Sequence, residues 1–158
     1  YSFEIYFKPS QNTFSSAQYE TEFNKAIELM TIYGGAILTV EGHSDPLGYL
    51  KNKYKNKATA VLLQKQKQAA LNLSYSRANS VKSSLIRHAK SSNTILDESQ
   101  FGIVGHGIMH PNFRLDNNGD IDKVNAPKTK EEWNRMRRVK FRLIQVEAET
   151  EIFEPLGL

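Results

Sequence analysis

Asp45 and Arg77 are the residues of this chain whose types and placement best suit a binding reaction. Asp45 lies in the run Gly42-His43-Ser44-Asp45-Pro46-Leu47-Gly48, a set of turn formers directly after a strand pattern. In α/β sheets, ligand crevices open beyond strand ends. Arg77 falls in the first turn of a helix whose start the sequence places near Ser74. Facing one another, the two side chains can clamp a zwitterion. The carboxylate takes an ammonium, and the planar guanidinium takes a carboxylate through two parallel N–H bonds. Such charge-assisted contacts contribute roughly 1.5–3 kcal/mol each. The same two groups equally suit a structural ion pair that stitches a loop to a helix.

Other reactive side chains form weaker patterns. His106 and His110 have a zinc-like spacing of four, but they lack the Glu of a protease motif and fall at a strand end and loop. No metal is expected there. Asp116 to Asp122 (DNNGDID) resembles a calcium loop, yet its glycine comes fourth rather than sixth and no Glu closes it. A solvated turn is the reading. Ser44, Ser74 and Ser76 have no evident base, so no hydrolase is expected; no cofactor is expected either. The absence of Cys excludes disulfides, thiolate metal sites and thiol nucleophiles.

The elements that must hold these residues follow from periodicity. Phe3, Ile5 and Phe7 alternate with polar residues and predict a strand closed by Pro9. Ser15 with Gln18 has capping-box spacing, and Phe23, Ala26, Ile27, Met30 and Tyr33 predict the helix that follows. Gly34-Gly35 is read as its left-handed stop. Ala36 to Glu41 is apolar on both faces, which suggests a central strand. Leu73 to Ala89 is a helix with Ala78, Val81, Leu85 and Ala89 on its inner stripe and Ser74 as its cap. Phe101 to Val104 is a short strand, His106 to Lys130 a long polar loop, and Glu131 to Met136 a helical turn. A last strand turns Val139, Phe141 and Leu143 to one side. The tail after Val146 carries no pattern. The order strand-helix-strand-helix-strand-strand predicts an α/β two-layer sandwich with a mixed sheet.

Charge is distributed unevenly. The chain has 21 Lys plus Arg against 17 Asp plus Glu, a net +4. Residues 51–67 alone hold six lysines and no acid, so the rest of the chain is slightly acidic. A uniformly basic surface for nucleic acid is thereby excluded. The lysine-rich stretch reads as a solvated, mobile loop, partly helical around Ala58 to Ala70. No run of about 18 apolar residues exists, so no transmembrane segment is expected. The chain begins at Tyr1 and is expected to be a fragment of a longer protein, with other domains of that parent chain as neighbours.

Four motifs in order carry a family resemblance: TVEGHSDPLG (39–48), LSYSRANSVKSSL (73–85), FGIVGHG…P (101–111) and RMRRVKFRL (135–143). Together they resemble the OmpA-like C-terminal domain, a family that binds peptidoglycan in the periplasm. The resemblance implies a single OmpA-like domain over residues 1–158, with a lysine-rich insertion at about 49–70 and a long loop at 106–130. It implies that Asp45 and Arg77 grip the diaminopimelate of a peptide stem, with Arg137, Ser44 and Gly48 lining the same pocket. It gives His43 a structural role, its ring packed under the turn with a backbone hydrogen bond. It also implies localisation at the cell wall or outer membrane, and anchoring without catalysis.

The departures from the family pattern are specific. Ser44 stands where Thr is commoner, and Met136 where Asn usually precedes the two arginines. The pocket Asn found before the second motif aligns with Ala70. The separation of Asp45 and Arg77 is about twice that of short family members, and the lysine-rich segment occupies the surplus. The alternative function is therefore that this segment binds an acidic protein, anionic lipid or nucleic acid, with the pocket vestigial. Nucleic acid is the weakest of these, because Phe101 to Val104 lacks paired aromatics for stacking bases.

Overall fold

Alternating apolar residues set four strands, and the computed structural model, which describes residues 1–145 and 153–157, pairs them in one sheet. They are β1 (Ser2–Tyr6), β2 (Ala36–Gly42), β3 (Phe101–Gly105) and β4 (Arg138–Gln145), in the order β1-β4-β2-β3. β4 runs antiparallel to both neighbours, with Ile5 opposite Val139 and Phe141 opposite Val40. β2 and β3 run parallel, with Val40 opposite Ile103. The sheet is mixed, as the motif order implies, and β2 is interior.

One face of the sheet is covered by α1 (Glu20–Ile32) and α3 (Ala60–Ser91). Phe23, Ala26 and Met30 from α1 meet Ala78, Val81 and Leu85 from α3 over Ile5, Leu38, Val40, Val139 and Phe141. Burial of this apolar surface is the main force holding the two layers together. Among the described residues the other face is open, and Tyr6, Ile37 and Ile144 are exposed on it. The apolar pattern of β2 thus marks its central position in the pairing, not burial on both sides.

Several boundaries differ from the sequence reading. Ser15 makes no side-chain capping bond, and a 3-10 turn over Ser16–Tyr19 leads into α1. α1 ends at an extended Tyr33, whose amide donates to the Leu29 carbonyl, rather than at a left-handed glycine. Ser74 does not start a helix. α3 runs for 32 residues from Ala60, capped by Thr59, whose hydroxyl accepts from the Leu62 amide. No Gly or Pro interrupts residues 60–91, so nothing breaks the helix at Ser74. Arg77 consequently sits in mid-helix.

The lysine-rich stretch is folded, not a mobile loop. It forms α2 (Leu47–Tyr54) and the first half of α3. A second apolar cluster joins them to the loop before α4 (Lys130–Asn134): Tyr49, Leu50, Ile108 and Ile121, flanked by Leu63, Phe113 and Trp133. Lys53 and Lys67 converge on Asp120 at 3.3 and 3.4 Å. The tail from Val146 to Ile152 lies outside the described residues.

Candidate ligand-binding groove

Two glycines determine how closely α3 approaches the sheet. A Cβ on Gly42 would fall inside the Ser74 main-chain carbonyl, and one on Gly105 would meet the Tyr75 amide at 2.7 Å. Only glycine lets the ends of β2 and β3 touch the helix here. Ser74 completes the junction. Its hydroxyl accepts from the Gly107 amide and donates to the Leu71 carbonyl, both at 2.8 Å. This contact brings the chain leaving β2 up against the middle of α3. Ser44 fastens it there, its hydroxyl donating to the Ala70 carbonyl at 3.0 Å.

Beyond the junction lies a groove of about 430 Å³. All five sequence-predicted site residues line it: Ser44, Asp45, Gly48, Arg77 and Arg137. Pro9 and Ser10 form one rim, and Lys51, Gln66 and Ala70 form a wall. The lysine-rich segment is therefore part of the groove. Gly48 lies in the first turn of α2, where backbone N–H groups have no carbonyl partner within the helix.

The arginine that reaches Asp45 is Arg137, not Arg77. Arg137 Nη1 donates to Asp45 Oδ2 at 3.1 Å, and the two side chains are only 9% and 17% exposed. The other carboxylate oxygen, Oδ1, accepts from the Leu47 amide at 3.0 Å. Arg137 also donates from Nε to the Phe7 carbonyl at 2.9 Å and from Nη2 to Asn134 Oδ1. Asn134 stands two residues before Met136, so an asparagine partner for Arg137 is present despite the altered motif.

Arg77 is 1% exposed and is tied to the main chain. Nε donates to the Gln11 carbonyl at 2.8 Å, Nη1 to the His43 carbonyl at 3.0 Å and Nη2 to the Lys8 carbonyl at 3.2 Å. Burial pushes its pKa down to about 10, opposed by Asp45 and reinforced by Arg137, so it stays charged at neutral pH. Three of its five N–H groups are thus occupied, and two remain. The free fork expected from the sequence is not available. Arg77 instead joins the turn after β1, where Ser10 has a φ of 59°, to the exit of β2.

His43 is buried with its ring stacked on that of His106, centroids 5.0 Å apart, and its ring Nδ1 has no hydrogen-bond partner among the described residues. Burial, and then the Arg138 guanidinium, pushes its pKa down to about 3, so the ring is neutral. Its backbone amide donates to the Arg138 carbonyl at 2.8 Å. Sequence reasoning missed Lys51, Gln66 and Asn134, and nothing in their spacing marks them. The DNNGDID run closes as a turn: the Asp116 carboxylate accepts from the amides of Asn118 and Asp120.

No protein-family model and no curated protein sequence matches the chain. Several solved structures share its fold. The peptidoglycan-associated lipoprotein from Burkholderia pseudomallei superposes with a TM-score of 0.59 over 89% of each chain, at 15% identity. The cell wall anchor of the T6SS from Pseudomonas aeruginosa gives 0.52 at 18% identity, over 92% of this chain and 81% of its own. The OmpA-like domain of FopA1 from Francisella tularensis gives 0.54 at 14% identity, over 92% of this chain and 73% of its own. At these identities the likeness carries the architecture, and the chain has the fold of an OmpA-like domain.

Proposed function

We propose that this chain holds peptidoglycan non-covalently, as a periplasmic anchor, through the groove at the end of β2. The observation that carries the reading is the Asp45 carboxylate, held nearly dry against Arg137 beside the buried Arg77 in that groove. Shared fold with a peptidoglycan-associated lipoprotein and a cell wall anchor supports it. The ligand is the diaminopimelate of a peptide stem, which offers an ammonium and a carboxylate on one side-chain end. Asp45 receives the ammonium on the lone pairs that Arg137 and Leu47 leave open. The carboxylate meets the first-turn amides of α2 at Gly48, in the field of the buried, charged Arg77 guanidinium. Ser44 and Arg137 act by holding the Asp45 segment in place. No bond is made or broken.

Co-sedimentation with purified sacculi tests the reading. Asp45→Asn keeps an acceptor for the Leu47 amide and removes the charge that meets the ammonium. It is expected to weaken pelleting by about tenfold or more. Reversing the exposed lysines outside the groove lining, Lys55, Lys57 and Lys65, to Glu is expected to change pelleting far less. Pelleting that ignores Asp45→Asn, follows the lysine reversals and collapses with salt would instead favour the lysine segment as the binding surface.

A further inference from the structure

A second constellation lies on the open face of the sheet, at the same strand ends but outside the groove. Glu41 and His43 are two apart along β2 and its exit, so their side chains share one side. That side is opposite to Val40, which faces the core. β3 runs parallel to β2, with Glu41 opposite Val104 and Gly42 opposite Gly105. The His106 amide donates to the Gly42 carbonyl at 2.9 Å, which sets the next residue of that strand beside them. One carboxylate oxygen of Glu41 and one ring nitrogen each of His43 and His106 then lie within 4.8 Å of one another.

We propose that Glu41, His43 and His106 form a binding site for a divalent transition-metal ion, with zinc as its reference occupant. The geometry is close to what zinc needs. Tetrahedral ligand atoms at about 2.0–2.2 Å from the ion stand roughly 3.4 Å apart, inside the 4.8 Å that bounds these three. A second, independent feature points to a missing partner. His43 is 5% exposed, and its Nδ1 is buried without a hydrogen-bond partner among the described residues. A buried polar atom without a partner costs roughly 1–3 kcal/mol, and an ion bound at Nδ1 of His43 supplies the missing partner. Two imidazoles and one carboxylate select zinc, copper or nickel over calcium or magnesium, which need more oxygen ligands.

The surroundings set limits on the affinity. Lys140 lies directly opposite Glu41 across β4, and Arg138 neighbours His43. Glu4 faces Lys140 from β1 and stands 3.8 Å from Arg138, which offsets these cations. The His110 ring lies 4.2 Å from that of His106, outside the set of three ligands. The spacing of His106 and His110 thus signals the right region through the wrong pair. The strand places His106 with Glu41 and His43, residues distant in sequence.

The test is a zinc titration of the chelator-stripped chain, read by competition with a chromophoric chelator and by thermal unfolding. One zinc per chain is expected, with a rise in melting temperature. Glu41→Gln and His106→Gln, both half-buried and therefore safe for folding, are each expected to weaken zinc by about tenfold or more. Neither is expected to lower the melting temperature of the metal-free chain by more than a few degrees. His88→Gln serves as the control, since His88 sits on α3, bonded to Asn24. Zinc binding that survives both groove-remote variants, is lost in His88→Gln, or fails to reach one ion per chain would overturn the proposal.

Discussion

A buried guanidinium must find acceptors for its N–H groups, and Arg77 finds them in the carbonyls of Lys8, Gln11 and His43. A lysine cannot reach three acceptors in three directions. Arg77→Lys is therefore expected to destabilise the chain by about 2–4 kcal/mol in urea unfolding, whatever it does to binding. Asp45→Asn leaves the Leu47 bond intact and is expected to cost less, about 1–2 kcal/mol, through the lost Arg137 ion pair. That difference is why Asp45, not Arg77, is the residue on which binding is tested. The sequence brings these residues together through the family resemblance of their motifs, which lie at the exit of β2, in the middle of α3 and at the start of β4. It does not show which arginine meets the carboxylate. That is decided by main-chain carbonyls at Lys8 and Gln11, which no side-chain pattern marks.

Element placement depends on contacts at the strand ends. Gly42→Ala puts a methyl group into the Ser74 carbonyl, and neither backbone can yield. A loss of about 3 kcal/mol or more is expected by urea unfolding, whereas Gly102→Ala, with open space around it, is expected to be mild. Asp120 joins α2 and α3 through Lys53 and Lys67. Partial burial disfavours its charge, but the Ile121 amide and the two ammonium groups outweigh that and hold its pKa below the ordinary carboxylate value. Its contribution is therefore present above the unfolded carboxylate pKa and is lost as pH falls through the lowered folded value. Asp120→Asn is expected to cost about 1 kcal/mol at pH 7, with the gap to the parent chain closing below about pH 4. The inner stripe of α3 was legible from period alone: Ala78, Val81, Leu85 and Ala89 are all buried. The start of α3 was not. Ser74 looks like a cap in sequence, and only its bonds to Gly107 and Leu71 explain a serine in mid-helix.

For the whole molecule, the net +4 describes neither end of the groove well. Lys53 and Lys67 are engaged with Asp120, and the lysine-rich segment serves as a wall of the groove, with Lys51, Lys55, Lys57 and Lys65 left exposed. Deleting residues 51–67 would remove that wall, so charge reversal is the cleaner perturbation. The strand order β1-β4-β2-β3 is set by the pairing and is not marked in the sequence, whereas the mixed sheet follows from the resemblance that the four motifs carry. The second apolar cluster does not, because Ile108 and Ile121 sit in a stretch whose composition reads as loop. The central claim is that Asp45 and its arginines read both charges on the diaminopimelate side-chain end. The most direct measurement is calorimetric titration with a soluble stem peptide carrying diaminopimelate, against the same peptide carrying lysine, which lacks that carboxylate. The account predicts binding of the first, about tenfold or more weaker binding of the second, and loss of both in Asp45→Asn. Equal affinity for the two peptides, or binding unchanged in Asp45→Asn, would contradict it.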